Sequence, residues 1–67
     1  MNKISDFTVP ELNKFRELCN FTDRELEYFN LRARDKSNVQ IAYEMNVSES
    51  TVSILARKVK KKMIRIL

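Results

Sequence analysis

One stretch of the sequence decides the fold: Asn38-Val-Gln-Ile-Ala-Tyr-Glu-Met-Asn-Val-Ser-Glu-Ser-Thr-Val-Ser-Ile-Leu-Ala-Arg57. It predicts a helix, a tight turn and a second helix. Asn46 stands where the first helix must end in a left-handed residue, a conformation that Asn tolerates better than most non-glycine residues. Ser48 follows as an N-cap for the second helix. The apolar residues around the turn fall at helical spacing: Ile41, Met45, Val47, Val52 and Leu55.

A pair of helices joined by so short a turn is the motif that places its second helix in the major groove of DNA. The distribution of charge points the same way. The chain carries 13 basic and 9 acidic residues, and the whole net charge of +4 lies in residues 35–67. From Ala56 onward there are six basic residues and no acidic one. This asymmetry favours a polyanionic partner, although a basic tail by itself is also compatible with a solvated helix face.

The length and composition exclude several other classes of protein. A chain of 67 residues allows one domain with a small core, and it is too short to enclose a large substrate cavity. It has no His, no nucleophile elbow and no phosphate loop, so we expect no enzyme. Cys19 is the only cysteine, and one thiol builds neither a disulfide nor a zinc site, so we expect no metal or cofactor. No signal peptide or membrane span is visible, which predicts a cytoplasmic protein without a membrane partner.

Taken in order, the chain predicts an all-α domain over residues 1–67. Residues 1–7 show no periodicity and are expected to form a flexible arm; residues 8–20 would form an extra helix, and residues 21–67 a tri-helical core. Each predicted helix has a Ser or Thr as its N-cap, and the first three carry a capping-box pattern: Thr8 with Glu11, Thr22 with Glu25, and Ser37 with Gln40. The chain contains no glycine, so every left-handed helix end must fall to Asn or Asp. The predicted helices run from Val9 to about Cys19, from Thr22 to about Arg34, from Ser37 to Met45, and from Ser48 to as far as Ile66.

A family resemblance is carried by three segments: Phe21-Thr-Asp-Arg-Glu25, Ser37-Asn-Val-Gln-Ile-Ala42 and Val47-Ser-Glu-Ser-Thr-Val52. They resemble the helix-turn-helix of LuxR/NarL-type regulators, and they are almost as similar to region 4 of bacterial sigma factors. The resemblance covers residues 21 to about 63. It implies a sequence-specific DNA-binding transcription regulator that inserts a recognition helix, residues 49–66, into the major groove of double-stranded DNA.

The last predicted helix has two faces, an apolar one for the core and an opposite one that carries small polar residues first and cations later. The resemblance implies base reading by Ser53, Ile54 and Arg57. Thr51 and Lys62 match positions linked in the family to the DNA backbone or to the fold. The full set expected to contact DNA is Asn38, Ser50, Thr51, Ser53, Ile54, Arg57, Lys58, Lys61 and Lys62.

The chain departs from the family in ways that leave alternatives open. Ser53 stands where many NarL-like proteins carry Lys, which would change the target sequence. Because the chain ends at Leu67, we expect it to lack the further helix that often mediates dimerisation in LuxR-type domains. One such module buries only roughly 600–1,000 Å² on DNA, which usually gives modest affinity. A regulator would then need a second copy or a partner, and we expect a weak homodimer formed by Ile64, Ile66 and Leu67.

Two other functions compete with direct DNA reading. The first alternative is a sigma-region-4-like adaptor acting through RNA polymerase or another protein partner. A membrane-surface role for the basic helix is disfavoured because its apolar face is needed for the core.

Overall fold

The computed structural model describes residues 4–67, which contain helices and no strand. The all-α prediction of a tri-helical core preceded by an extra helix is confirmed. No helix in this part of the chain combines the length and apolar character needed to cross a membrane. A short 3-10 helix at Ile4–Asp6 is followed by α1 (Val9–Leu18), α2 (Asp23–Ala33), α3 (Asn38–Met45) and α4 (Glu49–Ile66).

Capping boxes begin the first three helices, as the sequence predicts. At the start of α1 the Glu11 backbone N–H donates to Thr8 Oγ1 (3.3 Å), and the Thr8 N–H donates to Glu11 Oε1 (2.8 Å). The same reciprocal pair begins α2 and α3. At α4 the Ser48 hydroxyl accepts from the Thr51 N–H (3.2 Å). Each cap contributes on the order of 1 kcal/mol to the free energy of unfolding, which is substantial for a domain of this size.

The helix ends show how the chain manages without glycine. Three residues among 4–67 have positive φ, and all are Asn or Asp: Asn20 (53°), Asp35 (61°) and Asn46 (58°). At the turn before α4, the left-handed Asn46 lets the Val47 N–H donate back to the Ala42 carbonyl (3.0 Å). The predicted left-handed conformation of Asn46 is therefore confirmed.

The core is built mainly between α4 and the two helices before it. Four large side chains are almost completely buried: Phe29 of α2, Ile41 of α3, and Val52 and Val59 of α4. Full burial of such a side chain contributes roughly 1.5–3 kcal/mol relative to exposure. The remaining buried apolar residues extend the same core toward α1 and toward the end of α4.

Residues 4–7, which lie in the segment expected to be a flexible arm, pack against the core in this structure. Ile4 and Phe7 are partly buried against the core, and the Phe7 ring meets the Phe15 ring edge-on with centroids 5.1 Å apart. The Ser5 hydroxyl also donates to Asp35 Oδ1 (3.3 Å), which ties this segment to the turn between α2 and α3. Seven residues are too few to show periodicity, yet two apolar side chains suffice to anchor the segment. Residues 1–3 of the predicted arm lie outside the described residues.

The extra helix α1 shares the core of the tri-helical unit. The Phe15 and Phe29 rings lie 6.3 Å apart in an edge arrangement. The Arg16 guanidinium lies 5.4 Å from the centroid of the Phe29 ring, while its Nε donates to Asn30 Oδ1 (2.9 Å). Aromatic and cation–π contacts of this kind each contribute roughly 0.5–1.5 kcal/mol. Thus α1 covers Phe29, the largest of the four almost completely buried side chains.

The left-handed turn at Asn46 can be tested by substitution. Asn46→Val should lower the free energy of unfolding by on the order of 1–2 kcal/mol, because a β-branched residue is strained in this conformation. Asn46→Gly, the matched control, should be neutral or mildly stabilising because glycine adopts positive φ without strain. Urea unfolding followed by circular dichroism measures both. A Val variant as stable as the wild type would contradict the assignment of this turn.

Candidate nucleic-acid interface

Helix α4 presents one face to the core and the other to solvent. An α-helix turns by about 100° per residue, which places the buried Val52, Leu55, Val59 and Met63 on one side. On the opposite side lie four exposed residues that fall within about 60° of one another around the axis. We call them the central row of α4: Ser50, Ile54, Arg57 and Lys61. The exposed Ser53 and Lys58 flank this row.

The central row changes character along the helix. Ser50 and Ile54 come first, and Ile54 remains 49% exposed although it is apolar. Arg57 and Lys61 follow in the next turns. At about 1.5 Å per residue, Ser50 and Lys61 are separated by roughly 16 Å along the axis. Small polar and apolar side chains suit the edges of bases, whereas cations suit phosphates.

The cations of α4 are mostly uncompensated within the protein. Among residues 4–67 the ion pairs are Lys36–Glu44 (3.2 Å) and Lys62–Glu25 (2.5 Å). The other five cations of the helix form none, and no acidic residue follows Glu49 on α4. The exposed side of the helix therefore carries a concentrated positive potential. These five cations are Arg57, Lys58, Lys60, Lys61 and Arg65.

Lys62 does not join this exposed surface. Its Nζ donates to Glu25 Oε1 (2.5 Å) and to the Asn20 carbonyl (3.1 Å). Glu25 is only 3% exposed, so the pair is set at the edge of the core, where it joins α4 to the start of α2 and the end of α1. The resemblance links this position either to the DNA backbone or to the fold, and in this structure the Lys62 ammonium group is engaged within the fold.

The environment of Glu25 also determines its ionisation. Burial acts to raise the pKa of Glu25, but the hydrogen bond from Lys62 and those from Thr22 outweigh it and hold the pKa below its ordinary value. Glu25 is also the acidic member of the α2 capping box, since the Thr22 N–H donates to its Oε1 (2.9 Å). One carboxylate therefore begins one helix and anchors another.

Thr51 and Asn38 are the two remaining predicted site residues. Thr51 is half-buried, and its hydroxyl lies 3.1 Å from Ser48 Oγ, so it supports the start of α4. Asn38 is the exposed first residue of α3 and lies on a different helix from the central row. It borders an open depression that also includes Arg32 and Lys36. Arg32 Nη1 donates to the Lys36 carbonyl (2.7 Å), and Lys36 pairs with Glu44.

The tri-helical arrangement, its left-handed turn and the cationic outer face of α4 agree with the comparison of this sequence with protein families. The family described as bacterial regulatory proteins, luxR family, matches residues 19–64. The chain belongs to this family. LuxR-type helix-turn-helix proteins are DNA-binding transcription regulators and not enzymes. No curated protein and no solved structure gives a significant match to the chain.

The matched region contains α2, α3 and all but the last two residues of α4, and it leaves α1 outside. The predicted set of site residues omits two exposed cations of α4, Lys60 and Arg65. The angular position of each residue on the helix was the signal that could have found them. The sequence does not indicate that Glu25 is the partner of Lys62, because 37 residues separate the two.

The C-terminal apolar surface expected for a homodimer of this LuxR-family chain also needs correction. Ile64 and Leu67 are exposed, at 59% and 79%, but Ile66 packs against the core. Residues two positions apart on a helix point in directions that differ by about 160° around its axis, so Ile64 and Ile66 cannot share a face. The three residues therefore do not form one surface.

The Glu25–Lys62 pair predicts a pH-dependent contribution to stability. Glu25→Gln keeps the shape of the side chain but leaves Lys62 without its anionic partner, which should lower the free energy of unfolding by roughly 1–3 kcal/mol at pH 7. Because the folded-state pKa of Glu25 is depressed, its stabilisation is present above the unfolded-state value of about 4.3. It is lost as the pH falls through the folded-state pKa.

Urea unfolding between neutral and acidic pH measures this effect. The difference in stability between wild type and Glu25→Gln should narrow as the pH is lowered below about 4.3. Glu27→Gln, which removes an exposed carboxylate from the same helix, serves as the matched control and should change stability little. A difference that stays constant across this pH range would show that the charge of Glu25 is not responsible.

Proposed function

We propose that this LuxR-family chain is a sequence-specific DNA-binding transcription regulator that acts in the cytoplasm and inserts α4 into the major groove. The observation that carries the proposal is the composition of the exposed side of α4. Its first turns offer small polar residues and one apolar residue, and its later turns carry cations without acidic partners. A recognition helix needs this order, because its N-terminal residues contact base edges while later ones meet the backbone.

Base reading is proposed for Ser50, Ser53, Ile54 and Arg57. Ile54 is an apolar side chain on an otherwise polar and cationic surface, and the thymine methyl is the apolar feature that base edges offer in the major groove. Arg57 lies about one turn further along, where its guanidinium can donate two hydrogen bonds to the O6 and N7 atoms of a guanine. Together, Ile54 and Arg57 would therefore prefer a DNA sequence in which a thymine and a guanine lie close together.

Contacts to the phosphate backbone are proposed for Lys58 and Lys61 of α4 and for Asn38 of α3. In helix-turn-helix proteins the helix before the recognition helix crosses the backbone, and Asn38 is the exposed first residue of that helix here. Thr51 is assigned to the helix start and Lys62 to the fold, because their polar atoms are engaged with Ser48 and Glu25.

An adaptor that acts through RNA polymerase is the second candidate function. The exposed Val39 and Tyr43 favour it, since they lie one turn apart on α3 and are 62% and 87% exposed. Such an apolar pair on a surface helix suits a contact with another protein. Under this alternative α4 would still approach DNA, but stable binding would require the polymerase.

A weak homodimer through the C-terminal end of α4 stays a proposal. It would now depend on Ile64 and Leu67, because Ile66 belongs to the core. Equilibrium sedimentation at increasing protein concentration tests it directly, with Ile64→Ser as the variant that should weaken association. The homodimer would be excluded if the protein stayed monomeric at every concentration and bound DNA as a single copy.

Selection of binding sites from random duplex DNA tests the main proposal. A selected sequence should bind more tightly than a scrambled duplex, and the logarithm of the affinity should fall linearly with the logarithm of salt concentration. The same measurement with added RNA polymerase separates the two functions. Retention of DNA only when polymerase is present would favour the adaptor, and equal affinity for both duplexes would exclude sequence reading.

Ile54 and the thymine methyl can be tested as a pair. Ile54→Ala should weaken binding to the selected site by roughly 1 kcal/mol and leave the salt dependence unchanged, because no charge is removed. Replacing the contacted thymine by uracil removes only the methyl group. It should weaken the wild type by a similar amount and leave Ile54→Ala unaffected. Equal losses on selected and scrambled DNA for Ile54→Ala would mean that this surface does not read sequence.

Substitution of Lys61 should change the salt dependence of DNA binding and not the preference for sequence. Lys61→Ala removes a charge from the part of the central row assigned to phosphates, so it should weaken binding to selected and scrambled duplexes alike. The slope of log affinity against log salt should decrease in magnitude by about one unit. Both quantities come from the same affinity measurements over a salt series. A loss confined to the selected site would instead assign Lys61 to base reading.

A further inference from the structure

Two exposed lysines of α4 occupy symmetrical positions on either side of its central row. Lys58 and Lys60 are two residues apart, so they differ by only about 3 Å along the helix axis but by about 160° around it. The radial direction of Ser50, near the middle of the central row, bisects this angle, with each lysine about 80° away. At almost the same height on α4, one cation therefore projects from each flank.

Neither lysine is engaged by an acidic partner in the part of the chain that the structure describes. The two ion pairs there involve Lys36 and Lys62. The residues four positions away from Lys58 are Ile54 and Lys62, and those four positions away from Lys60 are Ala56 and Ile64. No carboxylate is therefore available on the helix at the spacing where side chains of opposite charge pair. Both ammonium groups are left to an external anion.

The dimensions of the helix and of the groove match. The major groove is about 12 Å wide, and an α-helix with its side chains is about 10–12 Å across. When Ser50, Ile54 and Arg57 of the central row face the base edges, cations about 80° to each side of Ser50 point at the two walls of the groove. Those walls are the phosphate backbones of opposite strands.

We propose that Lys58 and Lys60 bind phosphates of opposite DNA strands, so that α4 is held between both walls of the groove. This inference rests on the proposed function and extends it to Lys60, which the family resemblance does not assign to DNA. Arg65 lies about 20° from Lys58 around the axis and so falls on the same strand as Lys58. The arrangement fixes the roll of the helix in the groove, because rotating α4 toward one wall withdraws a cation from the other.

Strand-selective removal of phosphate charge tests the proposal. The duplex is a site selected from random DNA, in which neutral methylphosphonate linkages replace the phosphates of one strand at a time. The proteins are the wild type, Lys58→Gln and Lys60→Gln. Lys14→Gln, which removes an exposed lysine from α1, controls for net charge, and thermal melting confirms that each variant is folded.

On the unmodified duplex at about 0.1 M salt, each of the two α4 variants should bind about fivefold to tenfold more weakly than the wild type, the effect of releasing one fewer counterion. Neutralising one strand should abolish the loss caused by Lys58→Gln and preserve that caused by Lys60→Gln. Neutralising the other strand should give the reverse. Lys14→Gln should show no dependence on the modified strand.

The other outcomes each have a definite meaning. If both losses disappear on the same strand, the two-walled arrangement is wrong while DNA binding stands. If Lys60→Gln binds like Lys14→Gln on every duplex, Lys60 does not contact phosphate and the inference is also wrong. A wild-type protein that fails to retain any duplex at low salt would overturn the proposed function itself, and this inference with it.

Discussion

The burial of one face of α4 is the constraint on which the rest of the molecule depends. Val52 and Val59 are almost completely buried together with Phe29 of α2 and Ile41 of α3, which fixes the rotation of α4 about its own axis. Once that rotation is fixed, the position of every other residue on the helix follows from its angle. The core thus determines which residues of α4 face solvent, because rotating the helix to turn Ile54 or Arg57 inward would expose Val52 and Val59. Restoring two such side chains to water would cost roughly 3–6 kcal/mol, a large part of the stability of a small domain.

The six cations near the end of the chain divide into two classes by this geometry. Lys62 falls at the edge of the buried face and meets Glu25, so its charge is used to join α4 to the beginning of α2. The others point into solvent and keep their charge available. Breaking a pair of this kind by removing one partner is expected to destabilise far more than removing an exposed charge. A lysine that looks like its neighbours in the sequence therefore has a different role.

Much of the fold could be predicted because its signals are local. Thr8, Thr22, Ser37 and Ser48 each meet a partner three residues away, and Asn46 responds to its own backbone, so short segments suffice to place the helix boundaries. The outer face of α4 followed from helical spacing alone. The packing of Ile4 and Phe7 and the pairing of Glu25 with Lys62 could not be predicted, because they join parts of the chain that meet only after folding. Lys62 lies at the boundary between core and solvent, where spacing cannot decide the direction of a long side chain.

The unpaired cations of α4 have a consequence for the helix that carries them. Arg57, Lys61 and Arg65 follow one another at intervals of four residues, where like charges on a helix repel by roughly 0.2–0.5 kcal/mol for each pair. The burial of Val59 and Met63 stabilises the last turns of α4 against this repulsion. A polyanion lying along that surface would remove the repulsion, so it would favour the helical state over frayed forms of the same segment. A ligand of this kind would therefore stabilise the helix to which it binds.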